Sequence, residues 1–426
     1  MGRFVSAMRG RFWAGCVVGM LAGITVGAGA QEKGTAGPGH EPRHETGGGV
    51  WQMEPSETTA DLRGIHNAGY GVAWASGTHG TVLRSEDSGF EWQNCAMPPG
   101  AEHLDFRAIW GWDSNTAVVM SSGTGALSRL YRTEDGCAHW TLLRTNADAQ
   151  GFWDGIAFSD RNNGYLLGDA VAGQMVLERT EDGGRSWTRI HAAGLNTSGR
   201  GAFAASNTSL ALIGPVIKGP HGPVSVPWIA TGGPGGAVVL AGGIDCGMEM
   251  AHSNPEECLR HFDFTQEAVP VSGGSASAGV FSIAVVGSQG TGVQRGVAVG
   301  GDYTQFAQRA GTAASWQASR ERGAGSGKAN DGWEAAQTLP AGYRSAVACE
   351  ADGSQCIAVG PTGSDVSVDG GLHWIGLESA VPGVDGVPKG GEWNALSLPW
   401  AVGPGGRIAK LNPGAVEALI PKGSGR

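Results

Sequence analysis

Residues 179–187 read RTEDGGRSW, and the same pattern stands at RSEDSGFEW (84–92), at RTEDGCAHW (132–140) and, shortened, at SVDGGLHW (367–374). The tryptophans that close the first three copies, Trp92, Trp140 and Trp187, are 48 and 47 residues apart, and Trp374 lies another 187 residues on, close to four such periods. A fixed period of this length marks a repeat architecture, in which each unit buries its apolar face only against its neighbours. Each clear copy follows two apolar runs: LRGIHNAGYGVAWASG and GTVLRSED, FRAIWGWDSNTAVVMSSG and SRLYRTED, WDGIAFSDRNNGYLLGD and QMVLERTED. Short β-branched and aromatic runs broken by Asp, Asn and Gly specify strands joined by tight turns. Four strands in roughly 48 residues make one blade of a β-propeller.

Weaker copies fill the rest of the chain. GAFAASNTSLALIG (201–214) with PWIATGG and AVVLAGG makes a fourth blade, and residues 280–303 with AASWQ and DGWEAA, around Trp333, make a long fifth. The stretch that ends at Trp374 is the sixth, and 392–411 supplies three strands of a seventh. That last blade lacks an outer strand, while VWQM around Trp51 is a strand without a blade. The expected fold is all-β: a seven-bladed propeller over 49–412, closed by its N-terminal strand, with a tail at 413–426. Eight blades would require splitting 201–341 into three. In the repeated turns, Asp87, Asp135, Asp182 and Asp369 are expected to accept backbone N–H bonds and the tryptophans to pack between blades, which is structure rather than catalysis.

Composition agrees. The 426 residues include 75 Gly and 15 Trp but only 29 basic and 39 acidic side chains. Glycine at this level disfavours a helical chain, since each interior glycine costs on the order of 1 kcal/mol of helix propensity. A net charge of −10 makes nucleic acid a poor partner. Residues 1–30 hold Arg3, Arg9 and Arg11, no acid, and an uncharged apolar run ending in small residues at Ala28 and Ala30. This is the pattern of a signal peptide cut after Ala30, leaving a flexible 31–48 segment, no transmembrane segment, and a periplasmic or extracellular location. Six cysteines follow the leader, and in an oxidising compartment they favour disulfides. Fifteen pairings are possible; sequence proximity and repeat position favour Cys95–Cys137, Cys246–Cys258 and Cys349–Cys356.

The segment RTEDGGRSW resembles the Asp-box, or BNR, repeat of sialidases and of the photosystem II stability/assembly factor family. NNGYLLGD, GVAVGGDY and WAVGPGGRIAKL are more similar to the assembly-factor branch and its non-photosynthetic bacterial relatives. The resemblance covers about 49–412, with no recognisable Asp box in blades four and five. It implies an exported propeller acting as a scaffold or chaperone-like binding module. A sialidase would need three arginines, a Tyr/Glu pair and an acid/base Asp. Of the five tyrosines, 70, 131 and 165 fall in repeat strands, 343 is beside an inner-strand start, and 303 stands at a loop.

Matching positions at the starts of the innermost strands should ring the mouth of the central channel: Arg63, Arg107, Asp154, Arg344 and Asn394, joined from the second strands by Asp169, Asp302 and Asp365. Three arginines there suit an anionic ligand, a glycan or a peptide carboxylate; pairing with the neighbouring aspartates would instead pin the blades. No metal motif or cofactor loop stands out: the histidines are scattered, and GGPGG lacks the Gly-Lys-Ser/Thr of a phosphate loop. The expected function is a non-enzymatic scaffold that engages a protein or peptide on the mouth face. A sialidase-like hydrolase or carbohydrate-binding propeller is the alternative.

Overall fold

The computed structural model describes residues 49–197, 199–219, 222–244, 257, 262–288, 292–318, 332–377 and 392–420. The expected leader, the 31–48 segment and the Cys246–Cys258 pair lie outside them. Within them, 28 strands form seven four-stranded antiparallel sheets. The innermost strands are Leu62–Gly69, Phe106–Gly111, Trp153–Phe158, Leu210–Gly219, Ala278–Ser288, Ala346–Cys349 and Ala395–Ser397, and each touches the next around an unbroken ring.

Closure comes from the N-terminus. Strand Trp51–Glu54 is the outer strand of the seventh blade, with Trp51 opposite Leu411 and Glu54 opposite Ile408. Trp51 packs on Trp393 at 5.1 Å and donates its indole N–H to Ser364 Oγ of the sixth blade at 2.8 Å. The segment expected to be a tail contains a short helix, Pro413–Leu419, capped by Asn412, whose Val416 is fully buried beside Val50 and Leu411.

The glycine content has a geometric cause. At the end of the second strand in five blades the chain that leads into the first strand crosses against Gly77, Gly168, Gly300, Gly360 or Gly403. A Cβ at any of them would collide with a carbonyl oxygen, that of Asp61, Phe152, Gly279, Tyr343 or Glu392. The recurring Gly of WASG, LLGD, VGGD, AVGP and AVGP is therefore a packing requirement of each blade.

The Asp boxes join third to fourth strands at the end of the ring opposite the mouth. Asp87, Asp135, Asp182 and Asp369 each accept the backbone N–H four residues on, at 2.8–3.0 Å. A hydroxyl two residues earlier (Ser85, Thr133, Thr180 or Ser367) donates to the carboxylate and accepts from the N–H of the glycine or cysteine at its own i+4. Trp92 stacks edge-on against Trp400 of the seventh blade, Trp187 against Phe158, and Trp140 and Trp374 are buried between adjoining sheets. Cys95 and Cys137 are joined, tying the edge of blade one to the Asp-box turn of blade two, and Cys349 joins Cys356 across one hairpin.

Candidate functional site

The mouth is built by a repeated irregularity. In four blades the pairing of first and second strands skips one residue near its start: Arg63 between Leu62 and Gly64, Arg107 between Phe106 and Ala108, Asp154 between Trp153 and Gly155, and Phe281 between Val280 and Ser282. A bulge of this kind re-aims the extra side chain. All four line a cavity of about 600 Å3, together with Asp169, Tyr303, Tyr343, Trp393 and Asn394.

Its charges are unevenly satisfied. Asp105, just outside the lining, receives Arg107 Nε at 2.8 Å on one oxygen and faces Arg63 Nε at 3.2 Å with the other. Arg107 Nη1 also donates to the carbonyl of Ala204 at 3.1 Å. The two arginine side chains are each 29 % exposed. Asp154 is only 1 % exposed, and its Oδ2 has no hydrogen-bond partner among the described residues. Burial pushes the Asp154 carboxyl well above the usual range, the charge of Asp169 pushes it further, and Arg107 opposes both. Burial also raises Asp169, against the pull of the Ala202 N–H. Asn394 donates to the Leu62 carbonyl at 2.8 Å, stitching blade seven to blade one.

An aromatic wall faces these charges. Phe203 and Phe281 stack at 3.8 Å with their planes 13° apart, and Tyr343 meets Phe281 edge-on at 4.8 Å. Tyr303, half exposed, closes the same wall. In the fifth blade the bulge puts Phe281 at the mouth, and the next residue, Ser282, is buried between Thr208 Oγ1 and the Val347 N–H. Asp105 was also missed, although an acid two residues before an arginine, DFR, is a visible pairing signal.

Arg344 is not a rim residue. Its guanidinium is fully buried, held by Asp365 Oδ2 at 2.6 Å through Nε and again through Nη2, by Thr362 Oγ1 at 2.7 Å and by the Tyr343 carbonyl at 3.0 Å. In blade six the first strand starts at Ala346 without a bulge at Arg344, so the side chain turns back onto the third strand. Asp365 is thus inside the blade too; burial raises its carboxyl, and Arg344 draws it down only partly. Asp302 also leaves the cavity: it caps the turn Tyr303–Gln305, accepting from Thr304 N at 2.9 Å and Thr304 Oγ1 at 2.6 Å. Among the described residues no cluster of three His, Cys, Asp or Glu is placed to hold a metal ion, and no helix is long and apolar enough to cross a membrane.

No protein-family model and no curated protein matches the chain. Among solved structures, YCF48 from Cyanidioschyzon merolae superposes with a TM-score of 0.54 at 16% identity, covering 86% of this chain and 99% of that one. A structure of YCF48 bound to D1 peptide gives 0.49 at 13% identity over 85% and 96%, and an ancestral GH74 enzyme 0.45 at 13% over 78% and 40%. The chain is therefore similar in fold to YCF48, a photosystem II assembly factor, in agreement with the resemblance its repeats carry.

Proposed function

We propose that this protein is an exported, non-enzymatic scaffold whose mouth face receives a protein or peptide segment. The observation that carries this reading is the cavity itself: partly exposed Arg63 and Arg107 stand across from an aromatic wall that ends in half-exposed Tyr303. Arginine and tyrosine anchors beside a concave apolar surface suit a peptide chain, with the Arg63 fork and Arg107 Nη2 left to take a carboxylate while Arg107 Nη1 stays on the Ala204 carbonyl. Asp105 occupies the Nε edge of both arginines and holds the forks in place. The Cys95–Cys137 and Cys349–Cys356 bridges support an oxidising compartment, and intact-mass measurement of exported protein, starting near Gln31, tests that part.

Affinity capture from the native envelope tests the interface, with wild type compared against Arg63→Gln/Arg107→Gln. Loss of the captured set with the fold retained is the expected result; an unchanged set defeats the reading. The hydrolase alternative draws on Asp154, Asp169 and Tyr303 sharing the cavity. A sialidase's arginine triad is not assembled there, because Arg344 is committed to Asp365. Turnover of a sialoside, abolished by Asp154→Asn, would replace the scaffold reading.

A further inference from the structure

The deep side of the same cavity carries a feature that the arginines do not use. Asp154 combines near-complete burial, a bulge that turns it into the cavity, and a carboxyl oxygen with no hydrogen-bond partner among the described residues. An unsatisfied buried acceptor is costly to a fold and calls for a partner. Asp169 lies beside it, oriented by the Ala202 N–H and able to approach because Gly201 has no Cβ, which would press on Asp169 Oδ1.

The surrounding charges favour a cation as the missing group. Facing Asp154 are Asp169, Arg107 and, across Asp105, Arg63, with the Tyr303 phenol on the opposite wall. Two arginines stand against three aspartates, so ionising both Asp154 and Asp169 leaves the cluster one negative charge in excess, which a bound cation would offset. Two carboxylates fall short of the six to eight oxygens that calcium takes. A primary ammonium on an alkyl stem fits better: the stem can lie along Phe203 and Phe281 while the head reaches the carboxylates.

We propose that Asp154, with Asp169 as its neighbour, forms a subsite for a lysine side chain of the bound peptide. This rests on the peptide-binding reading and adds a specificity to it: one basic side chain inserted past the arginine rim.

The test uses two blocked peptides, acetyl-Ala-Ala-Lys-Ala-Ala-amide and the same peptide with norleucine for lysine, titrated calorimetrically against the full mature chain. Neither peptide has a carboxylate, so the arginines contribute no ion pair. The lysine peptide should bind at least about tenfold more tightly, as expected for a charge partner in a desolvated site. Its advantage should grow as pH rises from about 5 to 8, because binding an ammonium requires Asp154 ionised and releases a proton. Asp154→Asn should erase the preference; Asp169→Asn should reduce it, and near-UV circular dichroism confirms that each variant is folded. Equal affinities, no binding of either peptide, a preference that survives Asp154→Asn, or displacement of the lysine peptide by calcium chloride would overturn the proposal. Partners that still depend on Arg63 and Arg107 in envelope capture would show that only this subsite has failed.

Discussion

The two ends of the ring use aspartate in opposite ways. At the Asp-box end burial pushes Asp87, Asp182 and Asp369 upward, but the turn's N–H and hydroxyl donors outweigh it and hold the carboxyls below their ordinary range; at Asp135 the bond from His139 leads, holding it down to about 2. At the mouth burial wins, raising Asp154 and Asp169, and Asp154 keeps an oxygen without a partner. At the Asp-box end each aspartate is satisfied by its own turn, and the indole N–H of Trp187 and Trp374 donates to a turn carbonyl, while those of Trp92 and Trp140 have no partner among the described residues. The mouth departs from local satisfaction blade by blade, as expected where residues serve a ligand.

Arg344 gives the largest test of that contrast, because it stands near the mouth in sequence pattern yet belongs to the structure. Arg344→Met leaves Asp365 buried without its partner and should cost about 3–5 kcal/mol in denaturant unfolding, while the double change with Asp365→Leu regains most of it. Arg63→Gln should stay within about 0.5 kcal/mol of wild type. A mild Arg344 variant, or a severe Arg63 one, would erase the distinction between them.

At the Asp-box end, replacing Cys95 and Cys137 by serine releases a crosslink with a sequence separation of 42 residues. The expected loss is about 2–4 kcal/mol, and it should exceed that from removing Cys349–Cys356, whose separation is 7. Thermal unfolding of the two serine pairs gives the order; the reverse order would contradict it.

Between the two ends, His66 of the first strand in blade one packs against blade two with its ring 4.0 Å from Trp110, and its Nδ1 accepts from the Gly111 N–H. Burial pushes its pKa down from 6.5 to about 4, against the Gly111 bond. The folded state therefore binds the proton less readily than the unfolded chain, and stability is full above pH 6.5 and lost as pH falls toward about 4. Because the ring keeps some exposed surface, the loss is about 2 kcal/mol. Urea midpoints measured across that window should fall in wild type and flatten in His66→Gln.

The smallest effects differ in sign. Asp182→Ala removes bonds from the Ser186 N–H, Ser186 Oγ and Thr180 Oγ1 and should cost about 1 kcal/mol. That contribution is present above the ordinary carboxylate range and disappears as pH falls below it. Asp154→Asn should instead stabilise, increasingly as pH rises from 3.8, since the raised native carboxyl makes ionisation unfavourable to the fold. Thermal midpoints of both variants at two pH values check the signs.

The fold was legible because its determinants are local and repeated: the Asp, the glycines and the tryptophan of each box recur in order, and the seventh blade visibly lacked a strand that VWQM could supply. The site was less so. LRG, FRA and YRS look alike, yet Arg63 and Arg107 are bulge residues while Arg344 is not; the difference lies in the strand start at Ala346 and in Asp365 and Thr362, more than 15 residues downstream. The aromatic wall joins residues as far apart as Phe203 and Tyr343, and no spacing rule connects them.

On the proposed function, the mouth and not the Asp-box end should meet the partner. Two tyrosines make the comparison direct: Tyr303 is half exposed on the cavity wall, and Tyr70 is fully exposed on a hairpin at the opposite end. Each is replaced in turn by the photocrosslinker p-benzoylphenylalanine, and the protein is irradiated in cells. A discrete adduct is expected from position 303 that disappears when Arg63→Gln/Arg107→Gln is added, and none from position 70. Adducts from position 70 alone, or from 303 regardless of the arginines, would contradict it.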